Sequence, residues 1–426
     1  MLTKGIRKIV FMKISHKIAL TSVLGNLIEY FGFTLFAIFA KQIGQSFFPK
    51  LDSFTQLISV FIIFGTGFLS RPIGAVFFGH FGDKIGRKKS LSYTILGMSI
   101  ITFLIAITPD YESIGILAPI LLLFLRLSQG FFVGGEGPGA ALYMLEHSKT
   151  TNHGFSGGII IASIVSGSFL AVIIGILIDS LQINNSFSWR IPFFVSSILG
   201  LIGLYLRFSL PETQDFINAK KEKKILKLPI VKVFQNYWKE MILIASLGGI
   251  TTSLSYIIMA FLTPYLEKQL NIEHIKALKY SSISIFSFII SLIILGKVSN
   301  KFNPRKFIIF FSYLSILLTI PAFIAINSDN SILFMLGLLI FPFLGGGLCA
   351  PAYPYAIKIF NTEVRYSGVG LSYTIGIAIF GGFSPVICSY LIKTTELYYS
   401  PAFYIIFLAL IYLFFEKIIG SRTKLN

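Results

Sequence analysis

Twelve apolar runs alternate with short polar segments along the 426-residue chain, at roughly 18–40, 55–78, 91–108, 117–143, 155–178, 190–208, 240–264, 280–296, 307–326, 331–357, 367–392 and 400–418. A helix rises about 1.5 Å per residue, so about 20 residues cross a hydrocarbon core of about 30 Å. Each run reaches or approaches that length. The pattern predicts an all-α polytopic membrane protein with twelve transmembrane helices. The fourth and tenth runs exceed a perpendicular crossing, which predicts tilting or bending. Pro342, Pro351 and Pro354 predict a kink in the tenth.

The polar segments add two things. Lys4, Arg7, Lys8, Lys13 and Lys17 precede the first run, which is too long for a signal-peptide core and is expected to remain as the first membrane helix. Leu210 to Glu240 is a long polar insertion near the midpoint, with Lys220, Lys221, Lys223, Lys224, Lys227 and Lys232. It divides the chain into an N-terminal six-helix bundle (1–208), a linker (209–239) and a C-terminal six-helix bundle (240–426). The linker reads as a solvated tether, with contact to anionic headgroups or a regulator as the functional alternative.

Composition agrees with a lipid solvent. The chain is 54% hydrophobic and 13% charged, with a mean hydropathy of +0.80. About a quarter of a soluble domain is charged, so the polar surface a soluble enzyme needs is missing. An aromatic content of 15% suits lipid-facing helices with interfacial belts. The net charge of +18 does not imply nucleic acid, because the cations are strung in small clusters between apolar runs. With both termini placed in the cytoplasm, inside segments hold 27 Lys and Arg and outside loops hold 7. That bias predicts cytoplasmic ends. Cys349 and Cys388 lie in apolar segments and form no framework.

A repeat links the two halves. Residues 79–89 read GHFGDKIGRKK, and 217 positions later 296–306 read GKVSNKFNPRK. Gly79 matches Gly296, Lys84 matches Lys301 and Asp83 becomes Asn300. Repeats in the same orientation, six helices apart, predict a pseudo-two-fold axis along the membrane normal. Gly79 permits close helix approach and Gly86 a tight turn. Asp83 can cap a helix N-terminus or pair with Arg87. With Lys88, these residues form a candidate cytoplasmic gate; the plainer alternative is a set of positive-inside charges.

Charge inside the apolar runs is costly and marks function. Glu29 lies 12 residues beyond Lys17, about 18 Å along the helix, near mid-membrane. Asn26 and Tyr30 adjoin it. In the fourth run Gln129 and Glu136 stand two turns apart on one face, with Arg126 one turn from Gln129. Glu29 and Glu136 are candidates for the group that takes up a coupling proton. Arg126 is a candidate for a substrate carboxylate or for neutralising one of the acids. The structural alternative is a fixed ion pair between Arg126 and a glutamate. Arg71, before Pro72, reads as interdomain packing. No Walker loop, metal spacing or nucleophile arrangement is present, and the chain is not expected to be an enzyme.

The 79–89 segment resembles the loop signature of the major facilitator superfamily, G-x-x-x-D-[KR]-x-G-[KR]-[KR]. Further segments resemble the metabolite:proton symporter family, which includes proline/betaine transporters. They are FLSRPIGAVFFGHFGDKIGRKKSL (68–91), LRLSQGFFVGGEGPGAALYMLEH (125–147), GNLIEYFGF (25–33), WRIPFF (189–194), LPETQDF (210–216) and EVRYSGVGLSYTIGIAIFGG (363–382). The chain departs from that family at Gly32, where an Asp is usual, and in Gly157–Ser168, which lacks an early acid of the fifth helix.

The resemblance implies the major facilitator fold, with the first, fourth, seventh and tenth helices lining a cavity. It also implies a gate that latches the cytoplasmic side. The implied activity is secondary active transport, a proton symport of a proline/betaine-type osmolyte or organic acid across the bacterial inner membrane by alternating access. A proton-coupled exporter of drugs or metabolites and a non-transporting membrane sensor are the alternatives. No cofactor is expected beyond the transmembrane proton gradient. The expected partners are a small solute, protons and membrane lipids, with no nucleic acid, and the chain is expected to act as a monomer.

Overall fold

The computed structural model describes residues 2–180, 187–208, 211–222 and 229–420, leaving aside the side chains of residues 2–19, 54, 179 and 180. The side chains of the basic N-terminal cluster, together with Lys223, Lys224 and Lys227, lie outside the described residues. Twelve helices are long and apolar enough to cross a membrane among the described residues. In the first half these are α1 Leu20–Ile38, α2 Thr55–Ile85, α3 Arg87–Ile107, α4 Leu117–His147, α5 Thr150–Ile178 and α6 Arg190–Phe208. In the second half they are α7 Trp238–Leu270, α8 His274–Ser299, α9 Pro304–Ile326, α10 Ser331–Ile359, α11 Arg365–Thr395 and α12 Pro401–Ile418. Two short linker helices, Gln214–Lys221 and Pro229–Asn236, stand between the halves.

Each half packs as a bundle. In the first, α1 lies along α5, α3 along α6 and α2 along α4; in the second, α8 and α9 lie on α10, and α7 on α11. Without a hydrophobic drive between helices in lipid, close packing depends on small residues. A Cβ on Gly130 or Gly134 of α4 would overlap the carbonyl oxygens of Gly67 and Arg71 on α2. These glycines draw the two backbones together. The halves meet along two reciprocal seams, α5 against α8 and α2 against α11.

The helices break where the sequence permits. α10 is interrupted at Ala350–Pro351, which separates Ser331–Cys349 from Ala352–Ile359. α7 carries a π-helical turn at Ile257–Phe261 and α11 one at Ile377–Gly381. The 79–89 segment is largely helical: α2 runs to Ile85, Gly86 turns with φ +114°, and Arg87 begins α3. A side chain is strained at that φ, so a glycine suits it.

Candidate functional site

The polar residues of α1, α2 and α4 gather inside the first bundle, where Tyr256 of the second half reaches them. Arg71 opens the second segment of α2 after Ser70, and the glycine contacts above bring it beside α4. Arg126 is fully buried. Its Nη1 donates to Gln129 Oε1 and, at 3.3 Å, to the Phe33 carbonyl. Its guanidinium lies 3.7 Å from the Phe33 ring centroid, 4.6 Å from that of Phe64 and 4.8 Å from that of Phe36. The Nε and Nη2 of Arg126 have no hydrogen-bond partner among the described residues. Gln129 is held by Thr102 on α3, at 3.0 Å.

Arg71, 2% exposed, lies by the same ring, 4.5 Å from the Phe33 centroid and 4.4 Å from that of Phe68. Its Nε and Nη2 are likewise without partners among the described residues. The hydroxyls of Tyr30 on α1 and Tyr256 on α7 lie beside its guanidinium. Tyr256 also meets Phe68 edge-on across the bundle boundary, with centroids 5.3 Å apart. Tyr353 on α10 stacks near Tyr373 on α11 at 4.6 Å. Arg71, expected from the sequence to serve interdomain packing, therefore belongs to the central cluster.

Glu29 is 3% exposed, and neither carboxylate oxygen has a hydrogen-bond partner among the described residues. The charges acting on it come from Glu136, Arg207 and Arg71. Asn26, one turn earlier, is tied through its Nδ2 to Ser163 on α5 at 3.3 Å. Its Oδ1 is unpartnered among the same residues.

Glu136 does not meet Arg126. The two are ten residues apart, about 15 Å along α4. Arg207 grips Glu136 instead with both terminal nitrogens, Nη1 at 2.8 Å from Oε2 and Nη2 to Oε1. Thr94 donates to Oε2, and the Leu91 carbonyl accepts from Arg207 at 2.8 Å. Gly25 makes room, since a Cβ there would strike the Arg207 guanidinium. The ion pair that the structural alternative assigned to Arg126 is made by Arg207 instead. Arg207 is hard to single out by sequence because it ends the sixth apolar run and counts as a linker cation; its apolar neighbours Leu206 and Phe208 are the available signal.

The 79–89 residues tie the halves together at the face that carries the basic loops. Asp83 accepts from Tyr366 N at 3.2 Å, Ser367 N at 2.9 Å and Ser367 Oγ at 2.8 Å, capping α11. Arg87 pairs with Asp83 at 3.2 Å and Glu146 at 3.5 Å, and donates to the Thr362 carbonyl at 3.1 Å. Arg365 at the start of α11 pairs with Glu146 and, at 3.0 Å, with Asp215 of the linker. Gly79 lies against the Ser367 backbone. Gly86 and Lys88 differ from these: they face the linker and the end of α6, not the second bundle. Lys88 Nζ donates to the Phe208 carbonyl at 2.8 Å, and Gly86 packs on Glu212.

Part of the linker is docked rather than solvated. Glu212 accepts from the backbone nitrogens of Arg87 and Lys88 at 3.1 and 3.2 Å, covering the N-terminus of α3. Phe216 is buried beneath the Arg87 guanidinium, 5.3 Å away.

A family model for the Major Facilitator Superfamily matches residues 22–385. The chain is 34% identical to a glycine betaine/proline/ectoine/pipecolic acid transporter of Dickeya dadantii, over 93% of this chain and 81% of that protein. It is 32% identical to a proline/betaine transporter of Escherichia coli, over 91% and 80%. It is also 32% identical to a citrate-proton symporter of Klebsiella pneumoniae, over 91% and 87%. Among solved structures, the proton:xylose symporter XylE aligns with a TM-score of 0.76 over 96% of both chains. At 14% identity that likeness concerns the fold alone.

Proposed function

This chain belongs to the major facilitator superfamily, and from that premise we propose that it is a proton symporter for a small carboxylate-bearing solute, an osmolyte of the proline/betaine type or an organic acid. The basic face is the cytoplasmic one, with both termini there, and the protein works as a monomer in the bacterial inner membrane. The transmembrane proton gradient supplies the energy.

The observation that carries this reading is the state of Glu29. A buried carboxylate in lipid without a partner is expensive. It is retained where protonation changes during a cycle, and Glu29 lies within electrostatic reach of both Arg71 and the closed Glu136–Arg207 pair. Glu136 is already satisfied by three hydrogen-bond donors, two from Arg207 and one from Thr94, and serves as a fixed neighbour. Arg126 and Arg71 each keep two guanidinium nitrogens without a hydrogen-bond partner among the described residues, which suits forked recognition of a carboxylate. With the basic face latched, the solute enters from the opposite face. Rocking of one half against the other then opens the basic side.

Glu29→Gln keeps the shape and removes the titration. In proteoliposomes with an inward proton gradient, this variant is expected to lose accumulation of labelled solute while keeping gradient-free exchange. Full gradient-driven accumulation by the variant removes Glu29 from coupling. Efflux driven against the solute gradient by the parent protein replaces symport with export, and inertness toward osmolytes and carboxylates alike favours the sensor.

A further inference from the structure

We propose that Glu416 is a positioning residue for transport: through Tyr355 it fixes the inner segment of α10, Ala352–Ile359, and with it the Tyr353 phenol. The inference rests on the symport reading above for its uptake measurement and on geometry for the rest.

The inner segment is poorly held by its own backbone. It is eight residues long, and isolated helices of that length are marginal. Pro351 and Pro354 have no N–H, so two donors are missing from the ladder where Ser331–Cys349 gives way to Ala352–Ile359. Its orientation therefore comes from what Tyr353, Pro354 and Tyr355 touch, each turned about 100° from the one before. Tyr353 packs on Tyr373 of α11, with ring centroids 4.6 Å apart, and the Tyr373 hydroxyl meets that of Thr251 on α7 at 2.8 Å. Tyr30 and Arg71 of the first half lie within electrostatic reach of the Tyr353 phenol. Pro354 lies against Gly157 of α5, where a Cβ would come within 2.9 Å of the proline ring. Tyr355, on the face opposite Tyr353, donates its hydroxyl to Glu416 Oε2 at 2.7 Å.

Glu416 is itself held in place. It lies on α12, 1% exposed. Arg305 at the start of α9 pairs with Oε1 at 2.5 Å, and Tyr412, one turn earlier on α12, donates to Oε2 at 3.3 Å. The carboxylate is thus fixed between α9 and α12, and the inner segment of α10 is the third helix it joins. Stability alone does not call for this arrangement, since apolar residues of similar volume often replace a buried ion pair without loss. A charged acceptor adds direction: a hydrogen bond to a carboxylate has a preferred geometry that dispersion contacts lack. Fixing the rotation of the segment at Tyr355 fixes Tyr353 two residues earlier.

Two variants of the full-length protein each remove a hydroxyl from the same Glu416 oxygen. Tyr355→Phe cuts the bond to the inner segment, and Tyr412→Phe cuts one within α12. Both keep the ring and leave Arg305 on Glu416, so both are expected to fold, with similar unfolding midpoints in micelles. Spin labels on Lys306→Cys and Lys358→Cys sit at exposed positions of α9 and the inner segment, and the native Cys349 and Cys388 are buried. Their separation lies within one bundle, so rocking of the halves leaves it unchanged. The distance distribution is expected to broaden in Tyr355→Phe and to match the parent in Tyr412→Phe.

Uptake into proteoliposomes under an inward proton gradient, with labelled proline, glycine betaine and citrate as separate probes, supplies the second readout. For a probe that the parent accumulates, Tyr355→Phe is expected to raise half-saturation about tenfold while the maximal rate stays within about twofold. Tyr353→Phe is expected to raise half-saturation as much without broadening the distances, and the double variant no further. A parent-like distribution in Tyr355→Phe overturns the inference. An equal defect in Tyr412→Phe also overturns it, because Glu416 then only braces the bundle. Additive losses in the double variant overturn the role of Tyr353. If none of the probes accumulates, the symport reading fails and the distance comparison decides the inference alone.

Discussion

The two copies of the interhelical repeat perform the same operation on opposite halves with different electrostatics. At the end of α2, Asp83 caps the first turn of α11 through Tyr366 and Ser367. At the end of α8, Asn300 caps the first turn of α5, accepting from Gly154 N at 2.8 Å and Phe155 N at 3.3 Å. Gly79 lies against the Ser367 backbone, and Gly296 against that of Gly154 and Gly158. Each half thus holds a helix N-terminus of the other. The first copy is charged: Asp83, Arg87, Glu146 and Arg365 form a buried chain of ion pairs across the seam. The second is neutral, since Pro304 stands where the repeat places Arg87. Arg305 turns inward to Glu416 of its own bundle at 2.5 Å. A charged cap in a dry seam is strong when closed and costly when half-open, which suits a latch. A neutral amide cap on a seam of small residues suits a permanent pivot.

The largest effect is expected from Arg87→Gln. It leaves Asp83 and Glu146 buried without their shared cation, and removing one partner of a buried pair costs about 3–5 kcal/mol. Thermal unfolding in detergent micelles measures it, and an unchanged midpoint would erase the distinction between latch and pivot. A smaller effect, about 2 kcal/mol, is expected from Asp83→Asn, which makes the first copy resemble the second. An amide still caps α11, and Arg87 keeps Glu146, so the protein should fold. The basic face should then open more often. Spin labels at the exposed positions Lys84 and Lys358 report that as a longer distance population. If the distances match those of the parent, the charge at position 83 does not hold the latch.

Much of this architecture is legible in the amino-acid sequence. Run length and composition predict twelve helices, because lipid forces each crossing to be long, apolar and internally hydrogen-bonded. The repeat at 79–89 and 296–306 is visible because its Gly and Asp/Asn positions are forced by helix approach and capping. The partner of Glu136 is not legible there. Arg207 lies 71 positions away, and a cation that ends an apolar run looks the same whether it snorkels to water or folds back into the bundle. Glu212, Glu146 and Arg365 stay hidden for a related reason, since their partners belong to other helices and sequence spacing carries no register between helices. The missing acid at Gly32 has a local explanation: a Cβ there would meet Ser196 on α6, so the glycine closes α1 onto α6 rather than facing the two arginines.

The smallest effect is expected at the pivot. Asn300→Ala removes the acceptor for two backbone N–H groups of α5, and losing such a cap costs about 1 kcal/mol. No buried charge is stranded, because Lys301 is exposed and Arg305 keeps Glu416. The Lys84 to Lys358 distance distribution should therefore match the parent while the unfolding midpoint falls slightly. A shift of the distribution as large as that of Asp83→Asn would mean that the two seams are equivalent latches and that charge is incidental to which one opens. Loss of stability without a shift separates the two roles: a cap that holds a helix in place in every state, and a cap whose charge decides which state is occupied.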